Sequence, residues 1–216
     1  MAKVTAPLLS FGAGGQIANS MVYSSWRGQP YSRRYVVPAN PRTQAQTTVR
    51  DIFRNLNQFW ALAPAFVHNA FDLYAQGRAF LGRNRFIGDN SPIMRGNTDQ
   101  ESMAGLVISP GARGGYAPVA MDAAANAGDI DITFTLPTAP DGWTLAFAHA
   151  LAFIDQPGTE AFMAEILSAS DDTGSGIVTL PSAEAGDYVV AGFLQWEKPD
   201  GSIAYSRSLA DLVTVA

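Results

Sequence analysis

The 216-residue chain has no cysteine. That excludes a disulfide framework, a thiolate metal site and a cysteine nucleophile. It suits synthesis in the cytoplasm, and it also suits a particle that later meets an oxidising exterior, since nothing can mispair. No Asn-x-Ser/Thr acceptor occurs. The start Met-Ala-Lys-Val lacks the apolar run of a signal peptide. Trp143 to Ile154, the most apolar stretch, is too short to span a bilayer. The expectation is a protein made in the cytoplasm, with no membrane partner. Charge is also scarce, at 15% of residues. Hydrophobic residues reach 47%, enough to exclude wholesale disorder, and 20 Gly with 13 Pro point to many turns and β structure.

The few charges present are sorted. Residues 1–115 hold twelve of the fourteen Lys/Arg but five of the nineteen Asp/Glu, a net of +7. Residues 116–216 hold two bases against fourteen acids, a net of −12. This polarity predicts a basic part that docks on something acidic and an acidic part left in solvent.

Residues 12–15, Gly-Ala-Gly-Gly, read as a bend, and Gln16 to Trp26 as a strand. Arg27-Gly28 reads as a hairpin turn. Tyr31, Arg33, Tyr35 and Val37 then alternate with Ser32, Arg34 and Val36 at the strand period. Such a ribbon has too little apolar surface to stand alone. Asn40 and Pro41 suit the start of a helix. Its inward face is Ala45, Val49, Ile52, Phe53, Leu56 and Trp60, and its outward face Arg42, Gln46, Arg50 and Arg54. Pro64 opens a second helix, with Val67, Ala70, Phe71 and Tyr74 inward, and Gly77 closes it. A third covers Arg83 to Asn90. Two antiparallel helices over a hairpin make an α+β unit.

Ser109 to Pro118 is Gly- and Pro-rich and reads as the linker. Beyond it Ile130, Ile132, Phe134 and Leu136 alternate with Asp129, Asp131, Thr133 and Thr135. Further strands are expected at Trp143–Ile154, Phe162–Ala169, Gly176–Leu180, Tyr188–Trp196, Ile203–Arg207 and Leu212–Val215. Pro199-Asp200-Gly201 is a hairpin turn. About seven strands in about a hundred residues is the rhythm of an immunoglobulin- or fibronectin-like sandwich. The fold expected is therefore an α+β N-terminal unit (a β-hairpin with two or three helices) followed by an all-β sandwich. The division is 1–110 basic docking domain, 111–118 linker and 119–216 acidic sandwich.

No catalytic, cofactor-binding or metal-ligating residue is expected from the sequence. Asp172-Thr173-Gly174 matches the aspartic-protease triplet, but turn formers surround it where such an aspartate needs apolar flanks. Gly12 to Gly15 lacks the Lys-Ser/Thr of a phosphate loop. His68 and His149 have no neighbours at metal-ligand spacing and are read as structural. Asp129 and Asp131 share a strand face that could meet a cation, but a solvated face is the expected reading. What remains is arginine: Arg27, Arg33, Arg34, Arg42, Arg50, Arg54, Arg78, Arg83, Arg85, Arg95 and Arg113, with Lys3 the one lysine of that half. Arginine tolerates interfaces better than lysine does. With the aromatics Trp26 and Tyr31 it marks a protein interface, carried by Trp26, Arg27, Tyr31, Arg33, Arg34, Arg42, Arg50 and Arg54.

The segments Ser24-Ser25-Trp26-Arg27-Gly28, Arg33-Arg34-Tyr35 and Asn40-Pro41-Arg42-Thr43-Gln44-Ala45-Gln46, followed by Arg50, resemble a module of tailed-phage and prophage structural proteins. The likeness spans about residues 10–95. It implies a virion structural protein without catalytic residues, and an appended immunoglobulin-like domain is common on such proteins. The expected role is a capsid decoration (cement) protein, docked on the major capsid protein or other virion proteins as a homo-oligomer. A tail, neck or fibre-base component is the first alternative. A nucleic-acid-binding protein using the same arginines is another. A carbohydrate-binding adhesin gripping glycans through Trp143 or Trp196 is a third.

Overall fold

The structure, a computed structural model, describes residues 3–4, 13–26, 29–96, 105–112, 116–154, 166–181 and 183–215. It is a mixed α+β chain whose strands are mostly antiparallel neighbours. The chain divides into two compact units, Met1–Thr43 and Gln44–Ala216.

In the first unit β1 (Lys3–Val4), β2 (Ala13–Ile17), β3 (Met21–Trp26) and β4 (Gln29–Arg34) form an antiparallel sheet in that order. The single strand expected over Gln16–Trp26 is two strands. Between them Ala18 and Asn19 take left-handed φ of 42° and 53°, and the Ser20 N–H donates to Ile17 O at 2.9 Å. Asn tolerates that conformation and Ala does so at a cost. None of the described side chains in residues 14–43 is buried.

The second unit opens with three helices, α1 (Gln44–Leu62), α2 (Ala65–Ala75) and α3 (Gly82–Gly96). Helix α1 starts later than Asn40 and Pro41 suggest. Arg42, at φ 48°, stands in a left-handed conformation just before it. Ile52, Leu56 and Phe59 repeat on one face of α1 and are buried. Pro64 precedes α2 in an extended conformation, and Gly77 follows it at φ 74°. Helix α3 runs a full turn past the expected end, even though Pro92 lies inside it.

The described strands that follow are β5 (Pro110–Ala112), β6 (Ala120–Asn126), β7 (Asp129–Thr135), β8 (Thr144–Ile154), β9 (Ile166–Asp171), β10 (Ile177–Leu180), β11 (Gly186–Glu197), β12 (Ile203–Arg207) and β13 (Leu209–Val215). They make a three-stranded sheet, β10-β7-β6, and a six-stranded one, β5-β12-β11-β8-β9, in which β13 also pairs with β11. The start of the strand expected at Phe162–Ala169 lies outside the described residues. Strand β6 was not foreseen. Its Ala-rich sequence carries little strand propensity, and its pairing with β7 through the Ala127-Gly128 turn holds it.

Two cores meet at the large sheet. One face packs on the small sheet, through Ile130, Ile132, Phe134, Val178 and Leu180 against Ala150, Val190, Leu194 and Trp196. The other face carries Leu151, Phe153, Val189, Ala191, Phe193 and Tyr205 into the same cluster as Leu56, Phe59, Val67, Phe71 and Phe86 of the helices. Phe59 meets Phe153 edge-on at 5.6 Å between ring centroids, and Phe66 meets Phe193 at 5.8 Å. Each large side chain so buried contributes about 1.5–3 kcal/mol.

The helices therefore share a core with the β-sheets, and the chain divides at Thr43/Gln44 rather than within 111–118. Part of the expected linker is interior. Ser109 is fully buried and β5 pairs with β12. The Ser109 hydroxyl donates to Ser206 O at 2.6 Å, and the Ser208 N–H donates to Ser109 O at 3.1 Å. The Leu194 N–H in turn donates to the Ser206 hydroxyl at 2.8 Å. These bonds knot segment 108–111 into the break between β12 and β13, where backbone groups would otherwise lack partners. Asn90 does the same from α3. Its amide donates to Val107 O at 2.9 Å and accepts the Val107 N–H at 2.7 Å.

Candidate functional site

Strand β4 holds three of the expected interface residues. Tyr31 is 42% exposed, and Arg33 and Arg34 are both exposed. Successive side chains of a strand point to opposite faces. Arg33 lies opposite Val22, sharing one face with Ser24 and Tyr31. Arg34 lies opposite Met21, sharing the other face with Tyr23 and Ser32. Ile17 lies beside Met21 on that second face. Neither Arg33 nor Arg34 has an ion pair or hydrogen bond among the described residues. The apolar groups beside them are only half covered, with Ile17 43% and Met21 40% exposed.

The other candidates are spread along both units. Trp26 ends β3, but its side chain lies outside the described residues, and so does Arg27. Arg42 is exposed just before α1. Arg50 and Arg54 belong to α1 in the second unit, where Arg54 pairs with Asp51 at 2.9 Å. Arg83 and Arg85 are also engaged locally. Arg83 donates to Asn57 Oδ1 at 3.0 Å, and Arg85 pairs with Asp89 at 2.7 Å. Arg78 and Arg85 both lie over the Tyr74 ring, at 3.9 and 5.0 Å. The long outward stripe of arginines expected along the first helix is thus partly consumed by neighbours on its own unit. One signal in the sequence does single out the sheet of the first unit. No acidic residue precedes Asp51, so the first unit has nothing of its own to neutralise its arginines.

No family model matches the chain, and none of the curated proteins matches it.

The remaining candidates from the sequence have local explanations. His149 is 5% exposed in β8. Its Nε2–H donates to Gln195 Oε1 at 3.0 Å, Nδ1 accepts the Ser170 hydroxyl at 2.6 Å, and Phe66 stacks on the ring at 4.6 Å. Burial holds its pKa below the usual value, so it is neutral there. His68 stacks on Trp60 and bonds Trp60 O at 2.8 Å. The Asp172-Thr173-Gly174 triplet sits in an exposed turn after β9. Asp171 organises that turn by accepting the Thr173 hydroxyl at 2.7 Å and the Ser175 hydroxyl at 2.8 Å, bonds that hold its pKa below the carboxylate norm. Asp131 accepts from Asn126 at 2.8 Å and Thr179 at 2.7 Å. No cluster of three or more His, Asp or Glu side chains suited to a metal occurs among the described residues. Trp196 is buried and donates to Tyr116 O at 2.9 Å, which leaves its ring no open face for a sugar. Trp143 is half-buried with Lys198 over it at 4.7 Å.

The second unit carries shallow hollows. A groove of about 520 Å³ between α1 and α3 is lined by Phe53, Ile87, Gly88, Pro92 and Arg95 among others. A smaller polar hollow of about 280 Å³ lies among Arg85, Asp89, Val107, Pro110 and Arg207. Neither brings together a nucleophile and a base. No helix among the described residues is long and apolar enough to cross a membrane.

Proposed function

We propose that the chain is a structural protein of a tailed-phage-type virion, acting as a capsid decoration protein on the major capsid protein. One observation carries this reading: two exposed, unpaired arginines stand on a sheet that buries none of its own described side chains. A small sheet of that kind gains stability by lying on another surface. Arginine on it favours a carboxylate-rich surface. The Ser-Trp-Arg-Gly and Asn-Pro-Arg-Thr segments, both in the first fifty residues, supply the virion context.

The second unit then serves as the displayed body. Its strands alternate between the sheets, β6 and β7 in one, β8 and β9 in the other, β10 back in the first and β11 onward in the second. That alternation supports an immunoglobulin- or fibronectin-like sandwich with helices added on its larger sheet. Its acidic surface would keep neighbouring particles apart by like-charge repulsion.

The test is particle binding by the double variant Arg33→Glu, Arg34→Glu. Decoration of particles should be abolished while the isolated protein keeps its circular-dichroism spectrum. A double variant that decorates normally would overturn the docking role of these two arginines. Counting copies by electron cryomicroscopy separates the head from the tail: hundreds per particle mean head, a dozen or fewer mean tail or neck.

A further inference from the structure

Arg33 and Arg34 cannot both press on one flat partner. Arg33 and Arg34 leave opposite faces of β4, so a surface that meets one face misses the other charge. What both arginines share is the edge. Strand β4 is the last strand of its sheet, with β3 on one side and no further strand among the described residues on the other. The direction of its backbone groups follows from two facts. The Tyr35 N–H donates inward, to Ser20 O at 2.9 Å. Pro30, opposite Ser25, has no N–H to give. Alternation then sends the odd residues' N–H groups toward β3 and leaves those of Ser32 and Arg34 facing outward. This edge carries one cation on each face, and its own unit supplies no acid to neutralise them, since the sequence has none before Asp51. An edge with no further strand among the described residues is a template for another strand.

We propose that the first unit binds its partner edge-on, by accepting an acidic extended protein segment as a fifth strand along β4. The incoming strand bonds the outward N–H and C=O groups of Ser32 and Arg34. Neighbouring carboxylates on it fall on alternate faces, one reaching Arg33 and the next Arg34. Main-chain bonds supply affinity, and the alternating carboxylates set register. This rests on the docking role proposed above and specifies the partner's chemistry. A phosphate backbone offers no strand to pair with, which separates an acidic protein from a nucleic acid.

The test uses the full chain and two labelled seven-residue peptides, one alternating Val and Thr around a central Glu-Glu pair, the other the same with a central proline inserted. Binding is read by fluorescence anisotropy against a generic DNA duplex. The first peptide should bind saturably, and Arg33→Glu and Arg34→Glu should each weaken it about tenfold or more. Ser32→Pro, which leaves every charge in place, should weaken it similarly while the thermal melt is retained. The proline peptide should bind poorly to all forms. Equal binding of both peptides, or no effect of Ser32→Pro, overturns the edge-on mode while leaving arginine docking intact. Indifference to both arginine reversals overturns the docking role itself. No saturable peptide binding at millimolar concentration, or tighter binding of the duplex with steep loss in salt, overturns the acidic-strand partner.

Discussion

Gly192 shows how tightly the two sheets of the second unit close. A Cβ built there would lie 2.3 Å from the Phe134 ring tip and 2.9 Å from His149 O. Gly192→Ala should therefore destabilise by about 1–3 kcal/mol, read as a lower midpoint in urea, because the added methyl must displace the Phe134 ring and meets the His149 carbonyl as well. His149, one pair away across β8 and β11, makes a different prediction. Its folded pKa lies below the usual 6.5, so the unfolded chain takes up a proton first as pH drops. Stability from this group is complete above about pH 6.5 and is lost as pH falls from there toward the depressed folded value. Urea midpoints measured across that range should fall for the native chain. They should fall less for His149→Gln, which removes the titration along with some of the packing. Burial of this histidine was legible in its apolar strand. The partners Ser170 and Gln195 were not, because they come from β9 and β11 and only the sheet register brings them together.

Elements with a strong period were readable in advance. In α1 the apolar residues repeat at steps of three and four, and β7 alternates cleanly, so both stand near their expected positions. Two kinds of element were hidden. Strand β6 is nearly all small residues and shows no period. The knot around Ser109 looks like a linker, because Gly and Pro mark turns whether or not the turn is buried. The β6–β7 turn carries its own test. Ala127 stands at φ 51° beside Gly128 at φ 94°, a pair of left-handed residues in a two-residue hairpin loop. Ala127→Asn supplies the residue that such turns prefer, and should raise the melting temperature, with a gain of order 0.5–1 kcal/mol. No change in the melt would mean that the turn is not limiting.

At the scale of the molecule the sequence reading placed the boundary by charge and by glycine, and both signals mislead for the same reason. They describe surface and turns, whereas a domain is defined by what shares a core. A chain cut to residues 44–216 should keep a cooperative melt close to that of the full chain. A chain cut to 119–216 should lose it, since Leu151, Phe153, Val189 and Phe193 would face water without the helices. Survival of the shorter piece with an unchanged melt would show that the helices add little. The sheet of the first unit was legible as a basic ribbon. That its two arginines straddle an edge was not, because it depends on which strand lies outermost.

The double coating of the large sheet has an evolutionary consequence. Residues 148–153 and 189–194 are buried without a break, so neither strand has a permissive side on which drift can accumulate. Diversity in related chains should collect instead on the outward positions of β7 and on the turns, leaving the two central strands as the slowest-changing signature by which distant cousins could be found.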